Sequence, residues 1–410
     1  MRIPVYKILC VAVTLTAALC FANVSFANQD RKEQIGKYLR DKARTTRTGL
    51  PGSFVVFPIS ASDIPYFTDF LDHPDPKFRA ESCLALGFLG ATEAVPKLIE
   101  RLGDSDLSVK REAIRALGDI GDPRAVPHLK PFIDHRVESV RLASDIALLM
   151  LGEKRDGDRF ARYMKSSDPQ IRSVLVVYLP KLGLLGADLQ RQLLVQGLKD
   201  SKADIRTNAA AGLQQLGDQS TKGALIQAMR DRHASVRGAS INGLNKLNDR
   251  SLIHLFIQSL RDPADNVRRA AVEALLSFQD PSLLDFLVPM VHDPAAAVAG
   301  QALIGIAKFE DRRATEVLRE ALSKDDPYMR IYAAQGLSKR EDRSWVPIIL
   351  KLFCDSPEDH YFRRASKELL MQFGDESLLA EMDRIKTDPK YRNDVQDIID
   401  SIQKRSRKTE

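Results

Sequence analysis

Cysteine is scarce in this chain: there are four in 410 residues, and two of them, Cys10 and Cys20, fall within the first 27. A disulfide framework of the kind that staples small exported domains is therefore excluded, and the fold must rest on a buried core. No Cys or His cluster has the spacing of a metal site. No GxSxG, Walker loop or GxGxxG stands in a strand–turn–helix setting. These absences leave no catalytic, metal-binding or cofactor-binding residue to assign, and no cofactor is expected.

What the chain has instead is a recurring pair, an apolar residue followed by Arg or Lys. It stands at Phe78-Arg79, Val109-Lys110, Val140-Arg141, Ile171-Arg172, Ile205-Arg206, Val236-Arg237, Val267-Arg268, Met329-Arg330 and Phe362-Arg363. The steps are 31, 31, 31, 34, 31, 31, 62 and 33, and Val298-Ala299 marks the copy inside the 62 that has lost its base. A fixed period in the range of about 20 to 50 residues signals stacked repeats. Seven residues after each marker base stands Leu86, Leu117, Leu148, Leu179, Leu213, Leu244, Leu275, Ile306, Leu337 or Leu370. One position earlier the residue is mostly Ala or Gly, so a neighbouring helix can approach closely. Eleven residues after the marker, Gly90, Gly121, Gly152, Gly183, Gly217 and Gly374 predict left-handed helix ends. Asp follows in most copies (Asp122, Asp218, Asp249, Asp280, Asp311, Asp342, Asp375), suited to cap the next helix. Asp-Pro at 75, 168, 262, 293 and 326 announces several first helices, because Pro at the first helical position lacks only an N–H that has no partner there.

The phrase VKREAIRALGDIGDPRAVPHL resembles the short HEAT-like repeats of the phycobilisome-lyase type, and similar phrases cover most of the chain. The resemblance implies an all-α, right-handed α-solenoid of about ten 31-residue helix pairs with end caps. TPLH and WxxLGxxY, the marks of ankyrin and tetratricopeptide arrays, are absent, and the one tryptophan, Trp345, does not recur. The family also holds bilin lyase subunits and an iron-dependent deoxyhypusine hydroxylase whose ligands are His-Glu pairs. None of the seven histidines here is followed by Glu, so that iron site has no ligands.

Residues 1–27 read as a signal peptide: Arg2 and Lys7 precede an apolar stretch, and Ser25-Phe26-Ala27 offers small residues for cleavage. Residues 28–60 read as a basic segment and cap, 61–401 as the repeat array, and 402–410 as a basic tail. The formal charge of +6 sits at the ends: +2 in residues 1–27, +4 in 28–60 and +3 in 402–410, leaving the array near −3. A duplex-binding groove needs bases along the body, so no nucleic acid is expected as a partner. After cleavage, no transmembrane segment remains, and an exported protein of the periplasm or cell exterior is expected. Within the array, helices stacked about 8–10 Å apart hold Cys83 and Cys354 tens of ångströms from each other. A disulfide needs Cα atoms within roughly 7 Å, so both are expected as buried free thiols.

Several features bear on function. The marker base, with Asp six or four residues before it in most copies, is expected to tie adjacent turns together. The third copy crowds Lys154, Arg155, Arg159, Arg162 and Lys165 around a short second helix, either a solvated face or an anion site. The fourth has Tyr178 in place of the small residue, Pro180 inside the expected helix and three extra residues, which read as a kink in the superhelix or as a binding loop. Eighteen residues after the marker stand Lys97, His128 and Arg159 in the first three copies, and Leu255, Phe286, Val317 and Ile348 later. These four are buried flanks of the second helices or an apolar stripe on a concave surface, and as a stripe they are the candidate protein-binding residues. The expected function is a non-enzymatic scaffold that binds a protein or peptide along its concave face. The alternative is a lyase-type enzyme subunit acting with a partner chain or chromophore.

Overall fold

The computed structural model describes residues 31, 33–39, 59–340, 342–357 and 360–409. The expected signal peptide and LPGSFVVFP (50–58), the apolar stretch of the expected 28–60 cap, lie outside the described residues. The chain divides into two compact units, Met1–Leu193 and Leu194–Glu410, and the division falls within the second helix of the irregular fourth copy, Ala187–Gly197. All regular structure among the described residues is helical, and each unit is an α-solenoid of helix pairs.

In the first unit the first helices of successive copies are Pro76–Leu89, Leu107–Ile120, Glu138–Met150 and Pro169–Tyr178. In the second they are Ala203–Leu216, Ala234–Lys246, Asp265–Ser277, Ala296–Ile306, Pro327–Ser338 and Tyr361–Phe373. Second helices are mostly shorter and often open with a 3-10 turn, as Arg250–Leu252 leads into Ile253–Ser259. All ten members of the Leu/Ile column, from Leu86 to Leu370, have no accessible surface. The small residues act as their spacing predicts. A Cβ on Gly87 would stand 2.8 Å from the Ala116 Cα, and one on Gly118 equally close to that of Ala147. First helices of neighbouring copies therefore pack backbone to backbone.

All seven predicted Asp caps accept the backbone N–H two residues on, from Asp122 (2.9 Å) to Asp375 (3.0 Å). Gly90, Gly121, Gly152 and Gly217 are left-handed, but Gly183 and Gly374 are not. Gly183 opens a 3-10 turn, and Gly374 is extended at φ −63° and ψ 151°. Two copies fill the left-handed slot without glycine, through Asn248 and Gln279, both at φ 51°.

The two Asp spacings before the marker do different work. Asp75, Asp106, Asp168 and Asp326, four residues before it, cap first helices. Asp104, Asp231, Asp262 and Asp293, six residues before one marker, are gripped by the marker arginine of the preceding helix. Arg79, Arg206, Arg237 and Arg268 each place two nitrogens 2.7–2.8 Å from the carboxylate 25 residues on. The carbonyls of Asp231 and Asp262 meanwhile accept from the next arginine, at 2.9 Å from Arg237 and Arg268. Each such Asp joins two successive arginines, which is the structural ladder expected from the repeat. Because Asp262 and Asp293 are rungs, their following prolines lie in a turn before the helix rather than at its first position.

Each unit is closed at one end. The 33–39 helix buries Ile35 and Leu39 beside Ile64 and Phe67, and Arg31 forks onto the Asp63 carboxylate at 2.9 and 2.8 Å. At the other end Arg392–Thr409 buries Val395, Ile398 and Ile402, and runs as one helix across residue 401 into the basic tail. Cys83 is buried and free, whereas Cys354 is only partly buried, so the expectation of two buried thiols holds for the first alone. In the fourth copy the helix does not kink at Pro180. It ends at Tyr178, and Leu179–Lys181 and Gly183–Leu185 continue as 3-10 turns, whose hydrogen-bond pattern admits a proline near the start.

Candidate protein-binding surface

The four candidate residues sit at equivalent places on second helices of the second unit. Each stands one residue before a core position with no exposed surface: Phe256, Leu287, Leu318 and Ile349. A step of about 100° around the helix carries it from the core to the margin. Leu255, Val317 and Ile348 are half-buried. Phe286 is 42% exposed, an aromatic ring left largely to solvent. Two of the three polar members of the same column in the first unit are paired: Lys97 with Asp72 at 2.9 Å, and Arg159 with Asp145 at 2.8 Å.

The basic crowd of the third copy is organised around one buried acid. Asp145, with no exposed surface, accepts from Arg155 at 3.1 Å, Arg159 at 2.8 Å and the Tyr163 hydroxyl at 2.8 Å. Burial, with Asp145 beside it, pushes the Tyr163 phenol above its ordinary value. Arg159 also donates to the Ile133 carbonyl. Two of the five bases are thus committed to an internal network, which removes the core of the anion-site reading.

A surface that the repeat pattern missed lies on the first helices of the first unit. The guanidinium of Arg115, in the second copy, stands 5.5 Å from the ring of Tyr178, in the fourth, and the Lys181 ammonium is 5.2 Å from that ring. Arg115 lies 3.5 Å from Glu112 and 3.6 Å from Asp119. Side chains of first helices two copies apart thus meet on the first-helix face of the first unit, and its second helices, which carry the polar members of the column, form the other layer. Burial pushes the Asp119 carboxyl above its ordinary range, against the pull of Arg115 and Lys181. The one sequence signal for this cluster was Tyr178 at a position that is mostly small.

Among the described residues no group of His, Cys, Asp or Glu is arranged to hold a metal, and no helix is long and apolar enough to cross a membrane. Residues 64–149, 189–256, 253–327 and 315–400 match HEAT repeats. Among solved structures the chain is similar to the karyopherin Kap121p bound to the extreme C-terminus of the protein phosphatase Cdc14p. That match has 13% identity and a TM-score of 0.49, over 96% of this chain and 51% of that one. The chain thus spans about half the length of the karyopherin. An engineered protein (16% identity, TM-score 0.36) matches over 83% of this chain and 99% of its own. Human deoxyhypusine hydroxylase in complex with glycerol (20% identity, TM-score 0.29) matches over 67% and 99%. No curated protein matches by sequence.

Proposed function

The chain belongs to the HEAT-repeat family, and on that premise we propose that it is a non-enzymatic scaffold that holds a protein or peptide partner against its helix pairs. The anchors are Leu255, Phe286, Val317 and Ile348. The observation that carries this reading is Phe286: a large aromatic side chain, 42% exposed, in register with half-buried apolar residues on neighbouring second helices. Aromatic anchors of this kind supply much of the binding energy of protein interfaces. Nucleic acid has no place in the reading, because the bases concentrate at the chain ends. The short repeat phrase supports the phycobilisome-lyase type of HEAT array, read here as a binding scaffold. The basic, apolar and small-residue succession of residues 1–27 supports action in the periplasm or outside the cell.

A photo-crosslinking residue at position 286, in intact cells, tests the scaffold. A discrete crosslinked partner identified by mass spectrometry is the expected result, with none from position 273, which is exposed on the first-helix layer. Absence of any partner from 255, 286, 317 and 348 alike would refute the proposal.

A further inference from the structure

The eighth copy breaks the arginine ladder, and what remains there is a vacant slot of known chemistry. In other copies of the second unit the marker arginine lies over the start of its own helix. Arg206 donates to the carbonyls of Asp200 and Ser201 at 2.9 and 3.2 Å, and Arg268 to those of Asp262 and Pro263 at 2.9 and 3.1 Å. The acceptors stand six and five residues before the arginine. In the eighth copy the marker is Ala299, the corresponding carbonyls belong to Asp293 and Pro294, and the residue 25 on is Lys324 rather than Asp.

The backbone that cradles a guanidinium is nevertheless built there as in its neighbour. The Asp293 carboxylate accepts the Ala295 N–H at 2.9 Å, as Asp262 accepts that of Ala264 at 2.9 Å. Val298 and Ala299 bond to the Ala295 carbonyl as Val267 and Arg268 bond to that of Ala264. The two residues before the helices match in conformation, Ala264 at φ −90° and ψ 129°, Ala295 at φ −88° and ψ 114°. Where the arginine would lie, a cavity of about 430 Å³ opens, lined by Asp293, Pro294, Ala299, Val317, Glu320 and Asp326 among others. Lys324 does not fill it, since its ammonium turns to Glu320 at 3.0 Å. The acids lining the cavity are Asp293, Glu320, Asp325 and Asp326, against Lys324 and His292. Asp293 is held by Arg268 and Asp325 by Arg330, so Glu320 and Asp326 are the carboxylates without an arginine partner.

We infer that this slot binds an arginine side chain supplied by the partner. Consecutive carbonyls beside carboxylates match the planar fork of a guanidinium, whereas an ammonium is a point charge that does not use that geometry. Seven arginines of this same chain (Arg79, Arg141, Arg172, Arg206, Arg237, Arg268 and Arg330) use the carbonyl at this position. Val317 lines the slot, so the arginine enters beside the apolar column. The inference therefore deepens the scaffold reading and rests on it.

The test uses the full chain and a fluorine-tagged pentapeptide, Gly-Ser-Arg-Ser-Gly, with its citrulline counterpart, followed by fluorine NMR at low salt. Citrulline keeps the shape and removes the charge. The arginine peptide is expected to bind at least about tenfold more tightly, and both Ala299→Arg, which refills the slot from within, and Ala299→Met, which blocks it without charge, are expected to abolish binding. Equal binding of the two peptides overturns the inference whatever the variants do, as does undiminished binding to a folded Ala299→Arg or Ala299→Met protein. A partner crosslinked through residue 286 alongside a failed arginine arm refutes the slot and leaves the scaffold. Peptide binding without any crosslinked partner does the reverse.

Discussion

Replacing Asp231 by Asn tests whether the ladder holds the array together. Asp231 takes two bonds from Arg206, at 2.7 and 2.8 Å, and one from the His233 N–H at 2.8 Å, while its carbonyl accepts from Arg237 at 2.9 Å. Asn preserves the volume, the carbonyl, one side-chain acceptor and the turn. It removes the negative charge and turns an amide N–H₂ toward the guanidinium. A fully exposed ion pair would contribute only about 0.2–1 kcal/mol. Here the two side chains are 7% and 14% exposed, so the roughly 1.5–3 kcal/mol of hydrogen bonds to charged groups is the better guide. Native-state hydrogen exchange should show that loss in Ala203–Leu216 and Ala234–Lys246, because units of a repeat array contact chiefly their neighbours. The pH dependence has a definite sign. The Arg206 hydrogen bonds, opposed by partial burial and aided by the His233 N–H, hold the folded Asp231 carboxyl below its ordinary range. The unfolded chain, titrating near about 3.9, then binds more protons. The rung's contribution is complete above that value and is lost as pH falls through the depressed folded pKa. Asp231→Asn should therefore flatten the acid limb of the stability curve. A loss below about 0.5 kcal/mol, or an unchanged acid limb, would refute the assignment of stability to the ladder.

Other outcomes follow from the same packing. Leu275→Ala removes a side chain with no exposed surface and should cost about 2–5 kcal/mol, with exchange protection lost in adjacent copies before distant ones. Gln279→Gly relieves a non-glycine residue at φ 51° and should raise stability by about 0.5–1 kcal/mol in denaturant melts. Leu255→Gln with Phe286→Gln should leave the melting temperature nearly unchanged while abolishing the crosslinked partner; a loss of several kcal/mol would instead identify the pair as buried flanks. N-terminal sequencing of the exported form should begin at Asn28, and recovery of residues 1–27 on it would sink the cleavage assignment.

The sequence by itself determined whatever is local to one copy. The period marks the helix pairs, the Leu/Ile column marks the core, and the Asp after each helix end marks its cap. These depend on helical spacing and on bonds spanning two or three residues. The tertiary structure decided what crosses between copies. Only in space does each ladder Asp meet the arginine 25 residues before it, and only there does Arg115 reach Tyr178 past an entire copy. The charge of the third copy looked free until Asp145 drew Arg155 and Arg159 inward. The missing base at Ala299 read as a copy that had lost its arginine, until the structure showed the turn of its neighbour kept and a cavity beside Ala299. A one-dimensional pattern records which side chain is absent, but whether its place collapses or stays open depends on the backbone and the helices packed around it.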